Sequence, residues 1–326
     1  MAGGQERVLR RRIKSVQSTK KITRAMELIA ATRVVKAQQR AAAARPYSEQ
    51  ITGGIQDLAE AGAGGAHPLL REAEQVRKIA YVVITSDRGL AGAYNTSVIR
   101  AAEREVQDRR ADGIDYSLIL VGKKAESYFK FRGYRIDASF SDMSDTPTYE
   151  DARQVARVVT EAFEHGDVDQ VQLVYTRFLS VGTQRVTVRR FMPLQTGVAG
   201  GRPATEGPTA DYEFEPEPSP ILDALLPRYA EARLFAAMLD SAASEHANRQ
   251  RAMKSATDNA EELITKLSRI MNRARQDSIT TEIMEIVSGA EAMSSGGNAQ
   301  GGDESKAAAT YSSHDVHTDF PGARSA

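Results

Sequence analysis

The sequence contains no cysteine and no tryptophan, and only 6% of its 326 residues are aromatic. The lack of cysteine excludes a disulfide framework, a thiolate metal site, an iron–sulfur cluster and a cysteine nucleophile. Long apolar segments are also missing, since residues 79–84 fall far short of the roughly 18 residues that cross a bilayer. No secretory signal follows the basic N-terminus. These absences predict a protein of a reducing, cytoplasmic compartment. The length of the chain leaves room for about two domains.

The formal net charge is zero, because 43 Lys and Arg balance 43 Asp and Glu. The balance argues against a protein that binds polyanions over its whole surface, yet the N-terminal segment is strongly basic. Only Glu6 and Glu27 offset its cations, which are Arg10, Arg11, Arg12, Lys14, Lys20, Lys21, Arg24, Arg33, Lys36 and Arg40. The segment therefore predicts an acidic partner.

Two long segments, residues 5–45 and 228–288, lack both glycine and proline. Each is predicted to be one long helix, on the order of 60 Å and 90 Å respectively, with a kink permitted at Pro46. Their apolar residues recur mostly at spacings of three and four, which predicts an antiparallel two-helix coiled coil formed by the chain ends. The predicted stripes are Ile13, Val16, Ile22, Met26, Ile29 and Val34, then Ala260, Leu263, Leu267, Ile270 and Ala274, with a shifted stripe at Ile279, Ile283 and Ile286.

The middle of the chain alternates strand and helix patterns, which predicts an inserted open α/β domain with largely parallel strands. Predicted strands are residues 78–85, 116–121, 171–175 and 185–190, and predicted helices are residues 95–109, 123–131 and a segment capped by Thr148 with Asp151. The predicted organisation is a shaft helix at 1–60, the α/β domain at 76–195, a flexible insert at 196–220, a second shaft helix at 221–293 and a disordered tail at 294–326.

The sequence patterns bear on three kinds of chemistry. The turn at residues 86–92 follows a strand, but the chain has neither the three-glycine dinucleotide motif nor a P-loop, so nucleotide binding is disfavoured. The histidines form no metal-ligand spacing with Asp or Glu along the sequence. The basic first helix lacks the interleaved aromatics of a single-strand binder. A nucleic-acid or scaffold protein with a basic coiled coil, and an α/β enzyme using the turn at Ser86, remain alternatives.

Sequence motifs at both chain ends resemble those of the γ subunit of the rotary F-type ATP synthase. The first helix carries STKKITRAMEL at residues 18–28, and the last carries EH at 245–246, AMKSATDNA at 252–260, NRARQDSITTE at 272–282 and EIVSGA at 285–290. The SDRGL turn at residues 86–90 is similar to a loop of that family. The similarity covers nearly the whole chain, although the 196–220 insert and the 294–326 tail depart from the family pattern.

The resemblance implies a coiled-coil shaft inside a hexamer of α and β subunits, with an α/β domain (Rossmann-like) seated on the membrane c-ring. It implies a non-catalytic rotor that couples proton flow to ATP synthesis on β, with no cofactor or metal. Implied partners are the α, β and ε subunits and the c-ring, without nucleic acid and without a homo-oligomer. The implied location is peripheral, at the cytoplasmic face of a bacterial cell membrane.

Contacts with β follow from the same motifs. The resemblance implies that Arg275, Gln276, Thr280 and Glu282 contact a β loop, with Met26 and Arg249 facing them. It also implies that acidic loops of the β subunit contact a set of charged residues on the first helix and on the turn at residues 86–90. That set is Lys20, Lys21, Arg24, Arg33, Lys36, Asp87 and Arg88.

Overall fold

The computed structural model describes residues 2–60, 67–194 and 218–296. Most of the predicted insert and nearly all of the predicted tail therefore lie outside the described residues. The described residues divide into two compact units, one within residues 1–10 and 268–326 and the other within residues 11–267. Across the described residues, no helix combines the length and apolar character needed to cross a membrane.

Two long helices occupy the ends of the chain, α1 (Ala2–Glu60) and α5 (Pro218–Gly296). Between them lie β1 (Lys78–Ile84), α2 (Tyr94–Ala111), β2 (Asp115–Val121), α3 (Lys123–Phe131), β3 (Ala138–Phe140), α4 (Tyr149–Glu164), β4 (Gln170–Phe178) and β5 (Gln184–Met192). Both helices continue through an internal proline, Pro46 in α1 and Pro227 in α5.

The five strands form one sheet in the order β3-β2-β1-β4-β5. The first four strands are parallel, and β5 pairs antiparallel with β4. The prediction of a largely parallel open sheet is confirmed. The short strand β3 was not predicted, because its three residues carry no alternating pattern long enough to detect.

Sequence chemistry explains these elements. All but the first residue of β1 is buried, as expected for a central strand covered on both faces. Thr148 and Asp151 form the predicted capping box at the start of α4. One core lies between the sheet and the helices α4 and α5, and a second core lies between the opposite face and the helices α2 and α3.

Within residues 11–267, α1 and α5 pair as an antiparallel shaft. The hydroxyls of Thr23 and Thr257 are hydrogen-bonded at 2.8 Å, and Lys20 Nζ lies 3.1 Å from Glu261. The residue number on α5 rises as the residue number on α1 falls, so the two helices run antiparallel. An antiparallel two-helix shaft with an inserted α/β domain is therefore the observed fold.

The seam between these helices differs from the predicted stripes. Ile22 and Ile29 are 58% and 53% exposed, and between residues 13 and 37 the buried positions of α1 are Ile13, Thr23, Glu27, Ala30, Val34 and Ala37. In α5 the seam contains Met253, Thr257, Ala260 and Leu267, whereas Leu263 and Ile270 are exposed. The stripes were wrong at these positions because the seam takes alanine and paired polar groups there, beside Ile13, Val34 and Leu267, and leaves Ile22, Ile29, Leu263 and Ile270 exposed.

Candidate functional site

The loop after β1 is fixed by hydrogen bonds to neighbouring loops. Asp87 accepts hydrogen bonds from the backbone N–H groups of Lys123 and Ser144, both at 3.1 Å, and its own N–H donates to Ser144 Oγ at 2.9 Å. Leu90 adopts a positive φ of 63° at the exposed end of the turn. The loop is thereby held against the carboxyl end of the sheet.

Helix α5 fills the crevice at this end of the sheet. Open α/β sheets bind ligands beyond the carboxyl ends of their strands where the strand order reverses, which here lies between β1 and β4. Ser244 Oγ of α5 donates to the carbonyl of Thr176 on β4 at 3.1 Å. Arg249 Nη2 of α5 lies 3.3 Å from the carbonyl of Gly89 after β1. The usual ligand position is therefore occupied by the chain itself.

A cluster of five charged or titratable residues joins α1, α5 and the α/β domain. Arg33 of α1 donates to both carboxylate oxygens of Asp145, in the loop before α4. The ring of His246 lies 3.0 Å, through Nε2, from the backbone carbonyl of Asp145. On α5, Arg249 Nη2 is 2.7 Å from Glu245 Oε1, and Arg249 Nη1 is 3.4 Å from His246 Nδ1. We call Arg33, Asp145, Glu245, His246 and Arg249 the junction cluster.

The protonation of the junction cluster follows from these contacts. Because a carbonyl only accepts, His246 Nε2 donates, and Nδ1 then accepts from Arg249, which is the pattern of a neutral imidazole. Burial lowers the pKa of His246 and outweighs the raising effects of the Asp145 carbonyl and carboxylate; the charges of Arg249 and Arg33 lower it further, consistent with the neutral ring. Burial also raises the pKa of Glu245 to about 7, against the opposing charge of Arg249.

The cluster also contains the ligand types of a metal site. One donor atom from each of Asp145, Glu245 and His246 lies within 4.8 Å of the other two. Guanidinium groups, however, already neutralise both carboxylates: Arg33 engages Asp145, and Arg249 engages Glu245. Adding a divalent cation would place it beside two fixed positive charges, which electrostatics opposes. The arrangement is that of an internal ion-pair network.

Five of the predicted contact residues in the unit of residues 11–267 are already bonded within the chain. Arg24 pairs with Glu27 at 2.9 Å, and Lys20 pairs with Glu261. Arg33 and Arg249 belong to the junction cluster, and Asp87 braces the loop after β1. The side chains of Lys21, Lys36 and Arg88 are exposed and form no ion pair among the described residues, and Met26 is half-buried.

The remaining predicted contacts lie in the other unit. Arg275, Gln276, Thr280 and Glu282 are all exposed on α5. Within the described residues, none of these four side chains makes a hydrogen bond or an ion pair. The set predicted from the sequence is thus divided between two units, and its contacts with β remain a prediction.

Sequence reasoning did not single out Asp145, and it treated Glu245 and His246 only as part of a motif. A signal was present, because Glu245, His246 and Arg249 are polar residues in an alanine-rich segment of α5 whose neighbours are buried. Glu and Arg four residues apart lie on the same helix face. Asp145 offered no such signal, because only the fold brings its loop to the two helices.

Comparison with known proteins agrees with this architecture. The sequence model of the family described as ATP synthase matches residues 5–293. ATP synthase gamma chains from Parafrankia sp. and Nocardioides sp. are 51% and 48% identical to this chain. The first alignment covers 90% of this chain and 99% of the relative, and the second covers 91% and 98%.

Solved structures share the fold at lower sequence identity. A chain of the Euglena gracilis mitochondrial ATP synthase (OSCP/F1/c-ring) gives a TM-score of 0.64 at 18% identity, covering 93% of this chain and 99% of that one. A chain of the Tetrahymena thermophila central stalk and c-ring gives 0.56 at 23% identity, covering 72% and 99%. The fold is that of a central-stalk subunit of a rotary ATPase. By sequence, the chain belongs to the gamma-chain family of the F-type ATP synthases, whose members are the rotor of the membrane-associated complex.

Proposed function

We propose that this chain is the non-catalytic rotor of its ATP synthase. In this proposal the shaft turns within a hexamer of α and β subunits, and ATP is made on β. The α/β domain sits with the ε subunit on the c-ring at the cytoplasmic face of the membrane. Membership of the gamma-chain family supports the proposal, and so does the position of α5 in the crevice where an α/β enzyme would bind its ligand.

The observation that carries the proposal is the exposed apolar surface near the end of α5. Ile283, Ile286 and Met293 are 55%, 71% and 84% exposed, in a segment whose side chains are almost all exposed. Exposed apolar side chains that recur along one helix mark a surface that a partner covers. A ring of subunits around the helix would bury them on every side.

The exposed cations of the chain support the proposed contact with the β subunit. Lys21, Lys36 and Arg88 are exposed, and among the described residues their side chains are not in ion pairs. These cations can therefore meet the acidic β loops, whereas Arg33 and Arg249 are already engaged in the junction cluster. Long-range attraction between complementary surfaces guides assembly without requiring a fixed pairing.

The test is assembly with purified α and β subunits, followed by ATP hydrolysis. We compare the full chain with a truncation after Arg275, which removes the exposed apolar segment. A truncation after Met293 is the matched control, because the family match ends there. We expect a stoichiometric, active complex for the full chain and the control, and impaired assembly or turnover after truncation at Arg275. A full chain that never enters the complex would refute the rotor function.

A nucleic-acid scaffold is the second candidate, because the N-terminal segment of α1 carries many cations. It predicts DNA binding that weakens steeply as salt is raised. The same purified chain can be titrated with duplex DNA at two salt concentrations. Tight, salt-sensitive binding together with failure to assemble would favour this candidate.

A further inference from the structure

Asp145 of the α/β domain contacts both helices of the shaft. Its carboxylate accepts two hydrogen bonds from Arg33 Nη1 of α1. Its backbone carbonyl accepts from His246 Nε2 of α5 at 3.0 Å, and its carboxylate Oδ1 lies 3.7 Å from the same nitrogen. One short loop is therefore tied to α1 and α5 at the same point.

Apolar packing in a shared core joins the α/β domain to α1 and α5, but the packing next to these contacts is not what sets their orientation. Within about one helical turn of Arg33 and His246, the buried apolar residues are Val34 and five alanines, namely Ala30, Ala37, Ala242, Ala243 and Ala247. Small side chains give shallow ridges, and the hydrophobic effect that holds them is non-directional. A carboxylate bonded to a guanidinium instead fixes both distance and orientation. Directional contacts of this kind resist rotation of one part against the other.

We propose that Asp145 is a positioning residue that holds the α/β domain in a fixed orientation to both shaft helices, so that torque passes between them without slip. The proposal rests on the rotor function proposed above. Asp145 touches no substrate and acts through Arg33 and His246. Its loss therefore leaves ATP turnover by the hexamer intact and lets the shaft turn without driving the α/β domain fully.

The experiment uses the complete ATP synthase in lipid vesicles, with ATP hydrolysis and ATP-driven proton uptake measured in the same sample. We expect Asp145→Asn to keep hydrolysis and to lose most of the proton uptake per ATP. Asp145→Glu, which keeps the carboxylate, retains most of the uptake. Asp142→Asn is the matched control, because Asp142 lies in the same loop and pairs at 2.7 Å with Lys123 of the α/β domain.

A second variant covers the case in which Asp145→Asn does not assemble. The chain has no native cysteine, so Arg33→Cys combined with Asp145→Cys can be joined by a short bis-maleimide in a complex otherwise free of cysteine. We expect a low ratio of proton uptake to hydrolysis before cross-linking and a clear rise after it. A ratio that cross-linking does not raise contradicts the proposal.

Two further outcomes would overturn the positioning role. Asp145→Asn could leave both activities at the wild-type level, or it could lower both in proportion with their ratio unchanged. The first would show that the contact is dispensable, and the second that it only maintains the fold. Failure of the rotor function itself looks different, because a complex prepared without this chain would then couple hydrolysis to proton uptake as well as the complete one.

Discussion

Asp240 is a carboxylate of α5 that lies among aromatic side chains. It lines a cleft of about 600 Å³ together with Tyr47, Tyr149, Phe178 and Phe235. Burial raises the pKa of Asp240 to about 6, and the nearby charge of Arg177 only partly opposes this. Within the described residues its carboxylate has no hydrogen-bond partner. The ionised form is therefore costly in the folded chain.

The pH dependence of stability tests this environment. The folded pKa lies above the unfolded value of 3.8, so the carboxyl group favours folding below pH 3.8, and this contribution is lost as the pH rises through about 6. Between pH 4 and pH 7, we expect the free energy of unfolding of the wild type to fall by about 2 kcal/mol relative to that of Asp240→Asn, since one pKa unit corresponds to about 1.4 kcal/mol. Urea unfolding of both chains across this range measures the difference. Parallel profiles would show that Asp240 titrates as an ordinary surface acid.

Single residues of this kind are the least accessible to sequence reasoning. The chemistry of Glu245 and His246 could be recognised as unusual in an alanine-rich helix, and so could the pairing of Glu245 with Arg249, but the partner of His246 in the α/β domain could not. Arg33 and Asp145 are 112 positions apart along the chain, and only the fold brings them together. Asp240 likewise gave no signal, because its raised pKa arises from burial by residues of α1, α4 and β4.

At the scale of the element, two leucines of α5 that look equivalent in the sequence differ in their burial at the shaft seam. Leu267 is 6% exposed, whereas Leu263, one helical turn earlier, is 37% exposed. Burial of an apolar side chain contributes stability in proportion to the area removed from water. The two positions should therefore differ in their contribution to the folded chain.

Alanine substitution at these positions distinguishes the seam from the outer face. We expect Leu267→Ala to lower the free energy of unfolding by about 2 kcal/mol or more, as for other leucines removed from packed interiors. Leu263→Ala should cost well under 1 kcal/mol, because most surface substitutions are mild. Thermal and urea unfolding monitored by helical circular dichroism measures both. Equal losses would mean that the seam follows the stripe predicted from sequence.

The junction between β2 and α3 depends on a glycine. Gly122 has a φ of 98°, and a Cβ added there would lie 2.4 Å from the carbonyl oxygen of Thr85. That oxygen belongs to the backbone at the end of β1, so it cannot move aside as a flexible side chain could. Gly113 has a comparable φ of 80° but open space around the added atom.

This pair of glycines provides a matched comparison. Gly113→Ala should cost about 1 kcal/mol, the strain of a left-handed backbone. Gly122→Ala should cost clearly more, because a steric clash with the strand end is added to that strain. Unfolding experiments on both variants give the two values, and a Gly122→Ala loss no larger than that of Gly113→Ala would show that the strand end yields.

Element types were the part of the fold that sequence predicted best. Long segments without glycine or proline gave both shaft helices, and β-rich segments gave β1, β2, β4 and β5. The predicted stripes failed in detail because spacing alone does not tell the face toward the partner helix from the neighbouring face. Thr23 and Glu27 look unsuitable for a seam until their partners Thr257 and Arg24 are known.

At the scale of the whole molecule, the exposed apolar side chains of α5 predict behaviour outside the complex. Without partner subunits, Ile283 and Ile286 face water, and copies of the chain can associate through them. We expect the isolated chain to self-associate with increasing concentration, and Ile283→Ser with Ile286→Ser to reduce this. Light scattering during gel filtration measures it. Lys266→Ser with Arg269→Ser, at other positions of α5, is the control, and equal effects of the two pairs would contradict the expectation.

The pairing of the two ends of the chain limits how early the shaft can assemble during synthesis. The first ten residues belong to the same compact unit as residues 268–296. On the ribosome, α1 is synthesised well before the segment of α5 that pairs with it, so the seam between the two helices can form only late in synthesis. Its exposed seam positions, Ala30 and Val34 among them, must stay unpaired during that interval. The seam positions of the nascent shaft are therefore exposed to water for that time, and slower translation would lengthen their period of exposure.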